Sequence, residues 1–473
     1  MRRVTGRAAL LFLLLCLAAC QSTPAEETTP EPTAAPPTAT TAPTATATLP
    51  PTATATEMPT ATATAAPTET PAPTETAAPP TLIYLNGHGG AGHLNWTRDM
   101  LSEYMALHAG LVIDHVASNY YSRPVPIGYY NRLDNSSTPP DVGSGFIVGQ
   151  MRQYVAAGRI ADISQLWVAN GWAEMYPGAL ADLATIDGKQ YFVPQAIQWN
   201  PVFYRTDLFA AQGLTPPQTW DELLAACDTL AAADILPLAV SSSGWIAPLA
   251  RYFTIINMRL NGPEFHEQLM AGQVSYQDER VRAVFVQWAE LFAHNCFDTR
   301  PRGYNEAANM LFNGDAAMYF LGEWLSESYT NGFPETYDFF SFPIINPAVP
   351  RGEIAHIYGA YMLADTPNQA LAEEFLTYLG SPDGQTSNVL GTGRLVANNQ
   401  ADISSLSDLY ARGYQFVVEA PHLTQLFEFN TDPQVADVGL AVFDDFFSDQ
   451  ENLDWYLERL ERIRQTVYGD IDS

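Results

Sequence analysis

Residues 311–324 read LFNGDAAMYFLGEW. Asn313-Gly314-Asp315 is a turn signal. Ala316 to Leu321 is a short apolar run of strand character, and it stops at Gly322, Glu323 and Trp324. An indole beside a carboxylate can make a ligand site, with a ring to stack on and a carboxylate to accept hydrogen bonds. The plainer alternative is a strand entering a helix, with Trp324 closing the core. A second indole, Trp245, stands in the polar loop SSSGW. Motifs for bond-breaking chemistry do not occur: the chain has no Gly-x-Ser-x-Gly, no His-Glu-x-x-His and no Cys-x-x-Cys. Its acids are so numerous that carboxylate pairs at glycosidase spacing, about 5–9.5 Å, would arise by chance. They do not argue for an enzyme. The histidines are scattered, and His88 and His93 in GHGGAGH lack the further placed ligands a metal needs. No metal or other cofactor is expected.

These residues need a scaffold, and the chain from 81 onward alternates strand and helix signals. TLIYL is a short apolar strand followed by a glycine-rich loop. WTRDMLSEYMALHAG has helical spacing and LVIDHVAS is a second strand. PPDVGSGFIVGQMRQYVAAG repeats the unit as a short strand, a Gly-Ser-Gly loop and a helix ending near Gly158. Two strand-like runs flank Pro194. Thr219 with Glu222 three residues later forms a capping box, and Pro216-Pro217 blocks an earlier helix start. ILPLAV is a buried strand, and helices are expected over 247–260, 263–271 and 278–294. Thr366-Pro367 and Ser381-Pro382 each read as an N-cap followed by proline at the first helical position. ENLDWYLERLERIRQTV is a terminal amphipathic helix. Strands alternating with helices predict an α/β fold.

The N-terminal segments are of other materials. Arg2, Arg3 and Arg7 precede an apolar run, Ala8 to Ala19, shorter than the ~20 residues that span a bilayer. Residues 1–19 read as an export signal. Leu17-Ala18-Ala19-Cys20 resembles a bacterial lipobox, in which Cys20 takes acyl chains that hold the protein to a membrane. Residues 20–80 then form a Thr/Pro/Ala-rich stalk without an aromatic or basic residue, too poor in apolar surface to offset ordering entropy. Fully extended it would reach on the order of 180 Å. Without the signal's arginines and the stalk's glutamates, residues 81–473 hold 19 basic and 46 acidic residues, net −27. Such a surface disfavours nucleic acid and acidic solutes, and leaves neutral or cationic small molecules. Cys227 lies on the apolar side of DELLAACDTLAAA, which reads as a buried free thiol; a bridge to Cys296 is the alternative.

In order along the chain stand Pro140-Asp141-Val142; Gly158-Arg159-Ile160-Ala161-Asp162-Ile163; Asp187-Gly188-Lys189-Gln190-Tyr191-Phe192-Val193-Pro194; Phe203-Tyr204-Arg205-Thr206-Asp207-Leu208-Phe209; Pro216-Pro217-Gln218-Thr219-Trp220-Asp221-Glu222-Leu223; Phe312 to Met318 with Gly322-Glu323-Trp324; and Ala372-Glu373-Glu374-Phe375-Leu376. As a set these resemble the extracellular solute-binding proteins (family 1, carbohydrate-type) of ATP-binding-cassette importers, over nearly all of 81–473. The family often writes Tyr-Asn-Lys-Asp where this chain has Tyr204-Arg205-Thr206-Asp207. The resemblance implies a two-lobed periplasmic-binding-protein-like (type II) α/β fold, with a hinge and an interlobe cleft. By family pattern, lobe 1 is expected at about 81–199 plus 359–405 and lobe 2 at about 204–355 plus 408–473, with crossings near 199–204, 355–360 and 400–407. It further implies a non-catalytic, monomeric protein that captures a small solute, a sugar or oligosaccharide, and hands it to permease subunits. It would be exported and anchored to the outer face of the cell membrane, or periplasmic.

Cleft-facing loops and strand ends then become the site. Trp324, Glu323 and Gly322 lead, because that position in the family commonly lines the sugar. Trp245 follows. Gln198 and Trp199 stand at the first crossing, and Tyr358 and Gly359 at the second, where glycine would admit backbone close to a ligand. Asn86 and His88 follow the first strand, and Phe146 follows Pro-Asp-Val. Arg394 in GTGRL would bind hydroxyls or form a surface ion pair. A polyamine or other cation in the same fold, a secreted carbohydrate-active enzyme and a sensory binding protein are the competing readings.

Overall fold

Among the described residues thirteen strands follow in chain order: β1 (Thr81–Asn86), β2 (Val112–Ala117), β3 (Val142–Phe146), β4 (Thr185–Ile186), β5 (Lys189–Gln190), β6 (Val193–Trp199), β7 (Val202–Arg205), β8 (Leu236–Ala239), β9 (Ala316–Phe320), β10 (Tyr337–Phe340), β11 (Gly352–Met362), β12 (Leu395–Val396) and β13 (His422–Thr424). They come from a computed structural model, which describes residues 79–87, 91–118, 127–146, 149–243, 247–328 and 335–471. Cys20, His88 and Trp245 lie outside the described residues. The described residues fall within a single compact unit, Thr76–Ser473.

The first sheet runs β12-β6-β11-β3-β1-β2, with β13 beside β11; the second runs β10-β7-β9-β8. β1 pairs in parallel with β2 and β3. β11 runs antiparallel to both β3 and β6. Every residue of β6, β9 and β11 is buried. That is why β9, AAMYF, reads as an unbroken apolar run rather than an alternating one, while β6 and β11 carry Gln195, Gln198, Glu353 and His356 among apolar residues. One core gathers Leu82, Tyr84, Trp167, Trp199, Ile357 and Phe375; a second gathers Val202, Trp220, Phe253, Trp288, Phe320 and Phe443; a third, smaller one holds Phe203, Leu311, Tyr319 and Leu325.

Among the described residues the chain passes between the first two cores three times. Trp199 belongs to the first and Val202 to the second; Ala355 to the first and Ile354 to the second; Leu423 to the first and Leu426 to the second. The third passage therefore lies later than the expected 400–407. The helix Asp408–Val418 buries Tyr414 and Val417 in the first core. Polar links also join the two: Arg412 Nη2 meets Asp338 Oδ1 at 2.8 Å, and Gln153 Nε2 donates to Asp432 Oδ2 at 2.7 Å. The start of β11 is held by a buried ion pair, Arg259 Nη2 to Glu353 Oε1 at 2.7 Å.

Local signals mostly held. Thr219 and Glu222 form the reciprocal capping box, and Ser381 caps the helix Pro382–Thr392. Three expectations are corrected. Gly143-Ser144-Gly145 is not a loop but the middle of β3. A Cβ on Gly143 would lie 2.4 Å from Tyr361 Cζ, so this glycine makes room for the ring on the neighbouring strand. Thr366 does not cap a helix; the next helix, Gln369–Gly380, starts later. Its hydroxyl donates instead to Asp141 Oδ1, while Asp141 Oδ2 accepts the backbone N–H of Ile83 at 2.7 Å. Cys227 is not a free thiol. It is bridged to Cys296, with Cα atoms 5.0 Å apart. Spacing along the chain could not show this, because the contact is made by tertiary packing across 69 residues.

Candidate functional site

The helix Tyr304–Asn313 ends at Gly314, whose φ of 82° is the left-handed cap that glycine accepts without cost. The chain then enters β9 between β7 and β8. Past Phe320 and Leu321 it turns through Gly322 into the 3₁₀ segment Glu323–Ser328. A Cβ on Gly322 would stand 1.8 Å from Trp324 Cζ3. The indole thus lies folded back across Gly322, and only glycine leaves it that place. Glu323 is wholly buried, and its carbonyl accepts the Tyr410 hydroxyl at 2.9 Å.

Among the described residues, a guanidinium and an imidazole stand beside the Trp324 ring. The Arg251 guanidinium is 5.1 Å from the ring centroid, and the His356 ring meets it edge-on at 5.8 Å and 69°. Arg251 comes from the helix Ala247–Asn261 and is wholly buried. Its Nε donates to Asn200 Oδ1 at 2.8 Å, and Asn200 Nδ2 lies 3.2 Å from His356 Nδ1. Burial pulls the Arg251 pKa down, an effect opposed by the nearby Glu428 carboxylate. Burial first, and then the Arg251 charge, hold His356 well below the ordinary histidine value, so it is neutral at pH 7. Phe146 and Phe429 stack at 4.4 Å and both approach His356, while Tyr358 packs on Phe146 at 4.1 Å.

Of the residues singled out by sequence, Gly322, Glu323, Trp324, Gln198, Phe146 and Tyr358 gather at or beside this junction. The Gln198 carbonyl lies 3.3 Å from His356 Nδ1. Gly359 adjoins Tyr358 at an irregularity in the β11–β6 register. The other described ones go elsewhere. Trp199 is wholly buried against Phe339 at 4.5 Å, with Gly413 beneath its ring. Asn86 joins an interior network, donating to Thr97 Oγ1 at 3.0 Å and accepting from Ser144 Oγ at 3.4 Å. Arg394 is buried, and its charge acts on His93, whose pKa is lowered first by burial. Among the described residues no group of acids, histidines and cysteines could hold a metal ion. Sequence reasoning missed Arg251, Asn200 and His356. A signal did exist: Arg251 is a cation in the apolar run APLARYFTII, and His356 a polar ring in the apolar strand AHIYGAYM.

Residues 123–386 match the family model of the bacterial extracellular solute-binding proteins. The chain belongs to that family. Among curated members, it is 22% identical over 255 residues to an uncharacterised ABC transporter extracellular-binding protein of Pyrococcus horikoshii, covering 53% of this chain and 56% of that one. It is 26% identical over 176 residues to a probable sugar-binding periplasmic protein of Mesorhizobium japonicum, covering 36% and 41%. The chain thus spans about half the length of the curated relatives it matches. Solved solute-binding proteins share the fold. The bacterial receptor AcbH, described as preferring β-D-galactopyranose, superposes with a TM-score of 0.72 at 21% identity, over 83% of this chain and 99% of that one. A chitin oligosaccharide binding protein gives 0.69 at 19% identity, over 83% and 100%. The two-lobed α/β fold follows from these likenesses, and the family is one of binding proteins rather than enzymes. Among the described residues no helix is long and apolar enough to cross a membrane.

Proposed function

We propose that this solute-binding protein captures a neutral sugar or short oligosaccharide at the junction of its two lobes and delivers it to the permease subunits of an ATP-binding-cassette importer. The observation that carries this reading is the Trp324 ring laid across Gly322, beside a neutral imidazole and a buried guanidinium, where the chain crosses between cores. An indole face suits the C–H face of a pyranose, and N–H groups suit its oxygens. The ligand-binding set is Trp324, Glu323 and Gly322 with Gln198, Phe146, Tyr358 and Gly359; Trp245 and His88 remain candidates from sequence. A fixed cation at Arg251 works against a polyamine, since like charges in a buried site repel. Relatives and neighbours named as sugar-binding support the solute class. The sequence signals at the N-terminus support export, and acylation of Cys20 would tether a monomer to the membrane.

The test is thermal unfolding against D-galactose, xylobiose, chitobiose, spermidine and amino acids. A ligand at 100 times its dissociation constant adds about 2.7 kcal/mol. A stabilising sugar whose effect is lost in Trp324→Ala is the expected result. A shift with spermidine alone would overturn the sugar reading. Fractionation of cells making Cys20→Ser checks the tether: the variant is expected to leave the membrane fraction.

A further inference from the structure

Arg251, Asn200 and His356 form a chain of buried groups, each less than about a twentieth exposed. It starts on the helix Ala247–Asn261, passes through the first lobe crossing and ends on β11. Its hydrogens can be assigned in sequence. A guanidinium only donates, so Asn200 Oδ1, 2.8 Å from Arg251 Nε, is the acceptor. The amide nitrogen of Asn200 then faces the other way. It lies 3.2 Å from His356 Nδ1 and 3.5 Å from the Ile354 carbonyl. Both neighbours of Nδ2 must accept, so His356 Nδ1 carries no hydrogen. A neutral imidazole has one N–H, which places it on Nε2. The Gln198 carbonyl, 3.3 Å from Nδ1, would favour the opposite tautomer, but the Asn200 amide is oriented by Arg251 and leaves no room for a second hydrogen. Among the described residues Nε2 meets no hydrogen-bonding partner, and the ring's other neighbours are Trp324, Phe146 and Phe429.

We infer that Arg251 and Asn200 are positioning residues that fix His356 as the Nε2-protonated, neutral tautomer, so that the junction offers a solute oxygen one hydrogen-bond donor at the edge of the Trp324 ring. This rests on the solute-binding reading above and deepens it: the ligand must present an acceptor, a hydroxyl or ring oxygen, beside the face that stacks on the indole. The charge that acts on the imidazole is that of Arg251, itself influenced by Glu428; Glu323 stands next to Trp324 in the chain.

The experiment is nitrogen NMR of the purified protein labelled with ¹⁵N-histidine, with His356 identified by its loss in His356→Phe. Expected is a bare Nδ1 and a protonated Nε2, unchanged between pH 5 and 8. Asn200→Asp keeps the shape but puts a carboxylate oxygen opposite Nδ1, so it should move the proton to Nδ1 or charge the ring. An Nδ1–H tautomer in the unmutated protein, titration in that range, or no change in Asn200→Asp would each overturn the assignment. The second arm is binding of whichever of D-galactose, xylobiose or chitobiose raises the melting temperature. His356→Phe should weaken it about two- to tenfold, while His356→Gln, which keeps a donor, should restore part of the loss. Equal affinity in His356→Phe would overturn the donor role. No shift of the unmutated protein with any sugar would overturn the solute reading and the donor's role with it, leaving the tautomer as measured.

Discussion

The Cys227–Cys296 bridge allows a stability effect to be worked from the fold. Both sulfurs are buried in the second core. Cys227 sits on the helix Trp220–Ala232, and Cys296 follows the helix Glu279–Ala293, its carbonyl accepting the Leu238 N–H of β8 at 3.0 Å. The bridge thus staples two helices that flank one strand. The loop it closes spans 69 residues. Loop-closure entropy for that length gives about 4 kcal/mol at 25 °C, lost when the link is absent from the unfolded chain. Melting entropy near 2.1 cal/mol/K per residue converts this to about 5 °C if some 400 residues melt together. It becomes about 10 °C if the second core melts alone. The perturbation is the Cys227→Ala/Cys296→Ala double variant, followed by circular dichroism on heating, with and without reductant. The variant should melt 5–10 °C lower (an order-of-magnitude range) and respond to reductant no further, whereas the unmutated protein should fall toward it. An unchanged midpoint would refute the staple. So would alkylation of Cys227 and Cys296 in unreduced, denatured protein.

Other outcomes follow from the same structure. Gly322→Ala drives a methyl into the indole, so it should cost about 1–3 kcal/mol and displace Trp324, seen as a shift in tryptophan emission and weaker sugar binding. Thr219→Ala removes the capping box and should lower stability by about 1 kcal/mol in urea unfolding. His266 is wholly buried, its pKa lowered to about 4, chiefly by burial; His356 and His93 move in the same direction. A depressed folded value means that stability is full above the unfolded pKa, about 6.5, and is lost as pH falls toward the folded one. The unfolding free energy from denaturant titration should therefore fall between pH 6.5 and pH 4, by about 3 kcal/mol for His266 alone, and His266→Gln should flatten that dependence.

The sequence by itself determined the elements and their order. Runs of strand character marked β1, β6, β9 and β11, capping residues at Thr219 and Ser381 marked helix starts, and the motif set from Pro140 to Leu376 was enough for the family. These signals are local, or are repeated order along one chain. What lies across the chain was decided only by tertiary packing. Gly143 reads as a loop until Tyr361 is seen to need its space. Cys227 reads as a core thiol until two helices bring Cys296 to it. Trp199 and Trp324 are both tryptophans at lobe boundaries. One is enclosed by Phe339 and Phe416, while the other is turned back over a glycine toward Arg251. A side chain's surroundings come from elements distant in sequence, so composition and spacing do not fix them. For the same reason Arg251, Asn200 and His356, separated by 51 and 156 residues, meet only once the fold has formed.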